Sequence, residues 1–185
     1  MRKLNDHTYS RIFRLSLFCG ALLFLASGAV ACLPNEAKVE RSIAIKAPIA
    51  VVFENVNDLK KNAAWSPWAA HDPTMVTTYG EITRGVGASS SWTSDEMGSG
   101  SMRITESVPY SSILIDLDFK EEGTARSYWK FSELDGLVSV TWGFTSPAES
   151  FGEKFFALLM DSFVGPYYEE GLAKLKTVSE ESPAN

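Results

Sequence analysis

The sequence predicts an α+β fold in which a curved antiparallel sheet of about seven strands folds around a long C-terminal helix. Three observations predict it: a strand pattern followed by two short helical patterns, a series of six strand patterns separated by turn residues, and a final apolar pattern with helical spacing. The 185 residues are 45% hydrophobic and 22% charged. This ordinary globular composition excludes collagen-like, low-complexity and wholly disordered architectures.

The first elements are a strand and two short helices. Residues 38–46 alternate between apolar and polar side chains, which predicts a strand. Pro48 suits the first turn of a helix, and the apolar stripe that follows it predicts a helix over residues 49–59. Residues 60–68 predict a second short helix or turn, which ends at a Ser-Pro-Trp sequence.

The middle of the chain predicts the other six strands, at residues 75–82, 87–94, 100–108, 112–120, 125–134 and 137–145. Asp135 and Gly136, between the last two strands, predict a tight type I′ hairpin. Alternation assigns the apolar side chains of the last three strands to one face, which needs a cover. That face comprises Ile113, Ile115, Leu117, Phe119, Trp129, Phe131, Val138, Val140, Trp142 and Phe144.

The predicted cover is a helix over residues 149–178. Its apolar residues recur at helical spacing and are Phe151, Phe155, Leu158, Leu159, Phe163, Leu172 and Leu175. Gly165-Pro166 predicts a kink or a restart, because proline lacks the amide donor and clashes with the preceding turn. Residues 36–178 are therefore predicted to form one domain of ordinary size, and residues 179–185 to form a disordered tail.

Residues 1–35 predict a leader or membrane anchor rather than part of this fold. Four basic residues precede an uncharged, apolar run at residues 15–33, an arrangement that places the following chain outside the cytoplasm. The run is close to the ~20 residues that a membrane-spanning helix needs. Ala29 and Ala31 also form the small-residue pattern of a signal-peptidase site, directly before Cys32.

Three interpretations of this leader stay open: a lipoprotein acylated at Cys32, an uncleaved membrane anchor, and a cleaved signal peptide that releases a secreted protein. The first rests on resemblance to a bacterial lipobox, from which the chain departs because Ala29 stands where leucine is usual. All three predict a domain on the extracytoplasmic, periplasmic side of the membrane. The first two predict that the N-terminus tethers it there.

Charge and composition exclude several classes of function. The chain has 17 basic and 23 acidic residues, and the part after Cys32 keeps 13 basic and 22 acidic ones without a basic cluster. Such a domain gains nothing from phosphate neutralisation, so nucleic-acid binding is not expected. Both cysteines, Cys19 and Cys32, lie in the leader, and His71 is the only histidine after it. Neither a metal site nor a cysteine nucleophile is therefore expected in the domain.

The order of several short motifs resembles the START-like (SRPBCC, helix-grip) superfamily, and in particular its branch of polyketide cyclases/dehydrases and lipid-transport proteins. The resemblance covers residues 38–176 approximately, and no single motif is diagnostic. The motifs are VERSIAIKAP at 39–48, VFENVNDL at 52–59, WSPW at 65–68, GVGA at 85–88, GSGSMRITES at 98–107, VTW at 140–142 and MDSFVGPYYEEGLAKLK at 160–176.

The resemblance implies an apolar cavity between the sheet and the long helix that binds a hydrophobic small molecule or lipid. Two alternatives stay open: a cyclase- or dehydratase-like enzyme, and an envelope protein that binds a partner protein without any ligand. Fold does not decide between them. We favour binding without catalysis, because the superfamily offers no shared catalytic triad to transfer. No cofactor is expected, and the domain is expected to be monomeric.

The predicted ligand-binding residues lie on the inner sheet face and on the C-terminal helix. They are Trp92, Met102, Ile104, Glu106, Leu117, Phe119, Trp129, Phe131, Trp142, Phe144, Phe155, Leu159 and Phe163. Aromatic walls suit planar or hydrophobic ligands. For Trp92 and Trp142, simple packing in a core explains the same residues equally well.

Two residues are candidates for proton transfer. Glu106 alternates with apolar residues, which predicts the inner face, where a carboxylate is costly unless it is paired, hydrated or neutral. In the neutral form it is a general acid; the alternative is a strand end open to water, or a pair with Arg84 or Arg103. His71 beside Asp72 suits base chemistry near neutral pH, but an Asp-Pro turn explains that sequence as well.

Overall fold

The computed structural model describes residues 33–182, and its elements confirm the predicted α+β fold class. The elements are β1 (Glu36–Ile45), α1 (Ile49–Asn57), a 3-10 turn (Lys61–Ala64), α2 (Trp68–His71), β2 (Val76–Tyr79), β3 (Ser89–Thr93), β4 (Gly100–Val108), β5 (Ser112–Asp118), a second 3-10 turn (Lys120–Glu122), β6 (Thr124–Leu134), β7 (Leu137–Pro147) and α3 (Phe151–Glu180). Residues 1–32 of the predicted leader, with Cys19 and Cys32, lie outside the described residues. Between residues 33 and 182, no helix combines the length and the hydropathy of a membrane span.

All seven strands form one antiparallel sheet in the order β1-β7-β6-β5-β4-β3-β2, so β1 and β2 are its edges. The predicted hairpin between β6 and β7 is confirmed, because Asp135 and Gly136 have φ angles of 53° and 75°. Both central residues of a type I′ turn need positive φ. Aspartate tolerates this conformation better than most other side chains do.

Three of the cross-strand rows on the inner face of the sheet bear on the candidate site. Residues in register on neighbouring antiparallel strands lie side by side on one face. The open row comprises Met102, Leu117 and Ala125, the middle row comprises Val39, Ile104, Ile115, Ser127 and Phe144, and the aromatic row comprises Arg41, Ile113, Trp129 and Trp142. Every residue of the middle row is at most 8% exposed, whereas Met102 and Leu117 are only half-buried. The inner face is therefore packed at its centre and uncovered at the open row.

The long helix α3 runs without interruption from Phe151 to Glu180. Ser150 caps it: the hydroxyl accepts from the Glu153 amide, and the Glu153 carboxylate accepts from the Ser150 amide. Pro166 lies inside the helix, so the restart predicted at this position does not occur.

Arg41 stabilises α3 on both sides of the proline. Its guanidinium donates to the Asp161 carboxylate over 2.7 and 3.0 Å and to Glu169 over 2.8 Å. These carboxylates lie one turn before and one turn after Gly165. A Cβ atom at Gly165 would collide with the guanidinium, so glycine permits the close approach. The arginine thus joins two turns that Pro166 would otherwise weaken.

The last turn of α3 extends beyond its predicted end. Ser179, which was predicted to begin the disordered tail, is buried and accepts from the Asn55 side chain over 3.0 Å. The Glu180 carboxylate accepts from the Lys46 amide over 2.8 Å. The predicted boundary was wrong by two residues, because these polar residues have no apolar period and are held by hydrogen bonds to distant elements.

Candidate ligand-binding groove

The centre of the space between the sheet and α3 is filled by aromatic rings. Trp142 stacks on Tyr168 of α3 with ring centroids 3.7 Å apart, and on Trp129 with centroids 4.7 Å apart. Trp65 meets both tryptophans edge-on, at 5.4 and 5.7 Å. These four residues, the aromatic cluster, are each at most 6% exposed. Trp129 and Trp142 therefore belong to a packed core at this level of the sheet.

Hydrogen bonds fix the orientation of the rings in the aromatic cluster. The Trp65 indole N–H donates to the Asn55 carbonyl over 2.8 Å, and the Trp142 indole N–H donates to the Ser127 hydroxyl over 3.1 Å. Burial raises the pKa of the Tyr168 phenol. A Cβ atom on Gly171 would come within 2.9 Å of Trp142, so glycine lets the helix approach the ring.

The open end of the inner face presents apolar side chains that nothing in the described chain fully covers. Met102 and Leu117 of the open row are half-buried and pack against the core, as does Phe119. Trp92 meets Phe119 edge to face, with centroids 5.9 Å apart. Gly100 lies under the Trp92 ring, where a Cβ atom would collide with it. The result is a partly exposed apolar surface that continues into the core.

The first half of α3 lies at the same end of the molecule. Ala157 packs with Ala37 of β1 and Ala148. Its large apolar side chains do not cover the sheet as predicted, since Phe151, Phe155, Leu158, Leu159 and Phe163 are between 39% and 62% exposed. That prediction was wrong for this half of the helix, because Ala157, Met160 and Val164 make its packing contacts instead. Leu172 and Leu175 cover the sheet as predicted, at 2% and 0% exposed.

The predicted ligand-binding residues thus fall into four groups. Ile104, Trp129, Phe131, Trp142 and Phe144 lie in the packed core, Trp92, Met102, Leu117 and Phe119 form the open end, Phe155, Leu159 and Phe163 lie on the exposed half of α3, and Glu106 is exposed on β4. Trp142 is packed in the core, whereas Trp92 lies at the open end. The participation of any of them in ligand binding stays a prediction.

Glu106 was assigned to the wrong face. A β-bulge shifts the register between Ile104 and Glu106, so Glu106 pairs with Leu114 on the outer face and is exposed. Ser107 takes the inner position and donates to the Asn57 side chain over 2.8 Å. Strict alternation along the strand cannot reveal an inserted residue.

His71 and Asp72, adjacent in sequence, have different partners. The His71 Nε2 atom lies 2.6 Å from the Glu170 carboxylate of α3, and the ring packs edge-on against Tyr167. The buried Asp72 carboxylate accepts from the Ser94 hydroxyl and from Thr74. These hydrogen bonds, the one from Ser94 first, lower the pKa of Asp72 to about 2. The pair therefore ties the end of α2 to α3 and to β3.

A groove of about 950 Å³ crosses all seven strands at the level of the open row, and its lining includes the predicted ligand-binding residues Met102 and Leu117. The rest of its lining is mostly polar or charged and comprises Asn35, Glu36, Thr78, Tyr79, Gly80, Ser89, Ser90, Ser91, Ser101, Arg103, Asp116, Asp118, Thr124, Ala125, Arg126, Thr145, Ser146 and Pro147. Arg126 donates to Asp116 over 3.1 Å. The polar residues of this groove follow the polar half of the strand alternation, which is ordinary for an antiparallel sheet that faces water on one side. Among residues 33–182, no three histidine, cysteine or acidic residues are grouped to hold a metal ion.

The curved sheet, the long helix and the apolar open end define a START-like, helix-grip domain. The family model for polyketide cyclase/dehydrase and lipid transport matches residues 36–180, so the chain belongs to that family. The predicted superfamily is confirmed, and membership supports a ligand-binding domain. No curated protein matches the sequence.

Solved structures with the same fold differ widely from this chain in sequence. The di-domain ARO/CYC StfQ from the steffimycin biosynthetic pathway is 10% identical, with a TM-score of 0.60 over 98% of this chain and 62% of its own. The KanY protein is 14% identical, with a TM-score of 0.60 over 80% of this chain and 99% of its own. A protein from Chromobacterium violaceum is 15% identical, with a TM-score of 0.58 over 79% and 99%. At these identities the similarity concerns the fold alone.

Proposed function

We propose that the domain binds a hydrophobic small molecule or lipid at the open end of its inner face and carries it without chemical change. The observation that supports this most directly is the half-buried apolar surface of Met102, Leu117, Phe119 and Trp92, which adjoins the core. Covering such a surface with an apolar ligand gains roughly 25 cal/mol per Å². The aromatic cluster limits the ligand to this end, because its rings already fill the centre.

Binding is favoured over catalysis by the positions of the two proton-transfer candidates. Glu106 faces away from the open row, on the outer face. His71 is paired with Glu170 and packed on Tyr167, at the side of α3. A general acid or base must reach the reacting group within hydrogen-bond distance, and neither residue belongs to the open row.

The proposal includes a membrane tether through the N-terminus, on the extracytoplasmic side. It rests on the basic flank, the uncharged run at 15–33 and Cys32. A carrier of lipids or other poorly soluble molecules benefits from being held beside the membrane in which its ligand dissolves.

Native mass spectrometry of the full chain, extracted from membranes in mild detergent, tests both parts. The expected spectrum contains a co-purified hydrophobic molecule, together with an added acyl mass if Cys32 is modified. Leu117→Gln places a polar group in the open row and should reduce ligand occupancy about tenfold, the equivalent of about 1.4 kcal/mol. Leu114→Gln changes the same residue type on the outer side of the same strand and should leave occupancy unchanged.

Three outcomes would contradict the proposal. An empty protein in every preparation would favour the surface-interaction alternative. Equal loss in both leucine variants would mean that the ligand does not lie on the open row. A chemically altered ligand, together with loss of the alteration in His71→Ala or Glu106→Gln, would favour the enzyme.

A further inference from the structure

The first half of α3 carries an exposed apolar surface that the proposed ligand site does not use. The exposed fractions are 62% for Phe151, 55% for Phe155, 50% for Phe156, 53% for Leu158, 39% for Leu159 and 58% for Phe163. We call these six residues the exposed helix face. Phe156 and Phe163 stack on each other with centroids 6.3 Å apart. Contiguous apolar surface of this kind usually marks a binding surface.

The exposed helix face is wide. At about 100° per residue, its six side chains span about 160° of the helix circumference, centred opposite Ala157. Ala157 lies against Ala37 and Ala148. The helix therefore lies flat on β1 with its other side outward. A stripe this broad is much wider than the narrow seam by which one helix packs on another in a coiled coil, and it suits a planar apolar environment better than a single partner helix.

The described chain begins beside this face. The Asn35 carbonyl accepts from the Ala148 amide over 2.9 Å, and its side chain accepts from the Lys154 ammonium over 2.7 Å. Lys154 lies between Phe151 and Phe155 on α3. The uncharged run at 15–33 ends two residues before Asn35. Because Asn35 lies beside the exposed helix face and follows the run by two positions, a membrane that holds the run is close to this face.

Charges near the face are largely paired, which lowers the cost of removing it from bulk water. Asp161 is neutralised by Arg41, and this pairing lowers the pKa of Asp161. Glu153 is held by the backbone amides of the helix cap, which lower its pKa. Among residues 33–182 no basic cluster adjoins the face, so its burial of apolar area is the binding contribution that the described residues offer.

We propose that the exposed helix face inserts into the headgroup–acyl boundary of the membrane that holds the N-terminal run. This inference rests on the proposed tether. Interfacial helices bury an apolar face by about 5–10 Å in this way. The open row lies at the same end of the molecule, so docking places the entrance of the ligand site next to the lipid.

The test uses the full chain reconstituted in liposomes of phosphatidylcholine, with and without anionic phosphatidylglycerol. A benzophenone amino acid replaces Phe155 or Phe163, and lipid adducts are measured by mass spectrometry after illumination. Leu134 is the control position, because it is 76% exposed and lies at the far end of β6, roughly 33 Å along the strand. The expected adduct yield at Phe155 and Phe163 is on the order of tenfold above that at Leu134, because only the former positions lie at the interface. Adding anionic phosphatidylglycerol should not change this ratio of adduct yields.

Each of the other possible results contradicts a specific part of the proposal. Failure of the unsubstituted chain to float with the liposomes overturns the tether and the docking together. Flotation with adduct yields equal to those at Leu134 overturns the docking alone. Crosslinks from Phe155 to a second chain would show a dimer interface, and crosslinks to residues 1–32 would show that the leader itself covers the helix. A strict need for phosphatidylglycerol would show that charge, not apolar insertion, holds the domain.

Discussion

The two halves of α3 have opposite relations to the rest of the domain. In the second half, Tyr168, Leu172 and Leu175 are 3%, 2% and 0% exposed. In the first half, Phe155 and Phe163 are 55% and 58% exposed, although this half is richer in large apolar residues. Helical periodicity identifies apolar side chains in both halves. It does not show whether another element covers them.

Neighbouring elements account for the difference. The second half packs on the aromatic row, on α1 through Asn55, and on Pro67 beside Gly171. The first half packs through Ala157, Met160 and Val164, and its phenylalanines stay exposed. The open row is uncovered at this same end. Two apolar surfaces that the described chain leaves uncovered therefore lie at the same end of the domain, and natural monomers rarely expose such surfaces without a use.

The largest expected effect comes from a matched pair of leucines, one in each half. Leu175→Ala removes a fully buried side chain and should lower the free energy of unfolding by about 2–5 kcal/mol. Leu158→Ala removes the same atoms from a site that is 53% exposed and should change it by less than about 0.5 kcal/mol. Urea denaturation followed by tryptophan fluorescence measures both. Similar losses of unfolding free energy in the two variants would mean that another part of the protein covers the first half of α3.

A smaller loss of stability is expected on replacing Arg41, which forms hydrogen bonds to both halves of α3. Arg41→Ala removes hydrogen bonds to Asp161 and Glu169 on either side of Pro166. The partners are exposed, so screening reduces the loss to about 1–2 kcal/mol. Hydrogen exchange at the amides of residues 161–169 should accelerate.

Arg126→Ala is the matched control, because Arg126 pairs with Asp116 on the open outer face. It should cost less than about 0.5 kcal/mol. If exchange in α3 is unchanged in Arg41→Ala, then Pro166 does not weaken the helix and the arginine has no bridging role.

The smallest expected effect on stability concerns Asp72, in the loop that follows α2. Hydrogen bonds from Ser94 and Thr74 lower the pKa of Asp72 to about 2, below the unfolded value of about 3.9. A lowered carboxyl pKa stabilises the fold above the unfolded pKa, and this contribution is lost as pH falls from about 4 towards 2. Asp72→Asn should therefore be less stable at pH 7 and lose less stability on acidification.

The measurement is the urea midpoint between pH 7 and pH 2.5, with the exposed neighbour Asp95→Asn as control. Parallel pH profiles for Asp72→Asn and the unsubstituted protein would show that Asp72 is not a source of the acid sensitivity.

Local sequence patterns predicted the helices, strands and turns well wherever the backbone conformation depends on one residue or one turn. Asp135 and Gly136 identify their hairpin, because few other pairs accept two positive φ angles. Trp129, Val140 and Trp142 were assigned to the inner face, because strand alternation has a fixed period. The superfamily followed from the order of motifs along the chain.

The candidate site was harder to predict, because it depends on residues that are distant in sequence. The bulge before Glu106 reverses the face of that side chain, and alternation carries no signal for an inserted residue. Ser179 looks like tail sequence, yet it is buried by the hydrogen bond from Asn55. The separation of Trp92 from the aromatic cluster follows from the strand order, because β4 and β5 lie between β3 and the strands that carry Trp129 and Trp142.

By itself, the sequence of this protein determined which residues are apolar, their periods and the turns between them, because those properties depend on each residue and its near neighbours. It thereby determined the order of strands and helices. Only the tertiary structure decided which apolar residues become core and which stay available, since burial depends on contact with distant elements. Trp142 and Phe163 illustrate this: both are aromatic residues predicted to lie between the sheet and the helix, but Trp142 is 6% exposed between Tyr168 and Trp129, whereas Phe163 is 58% exposed.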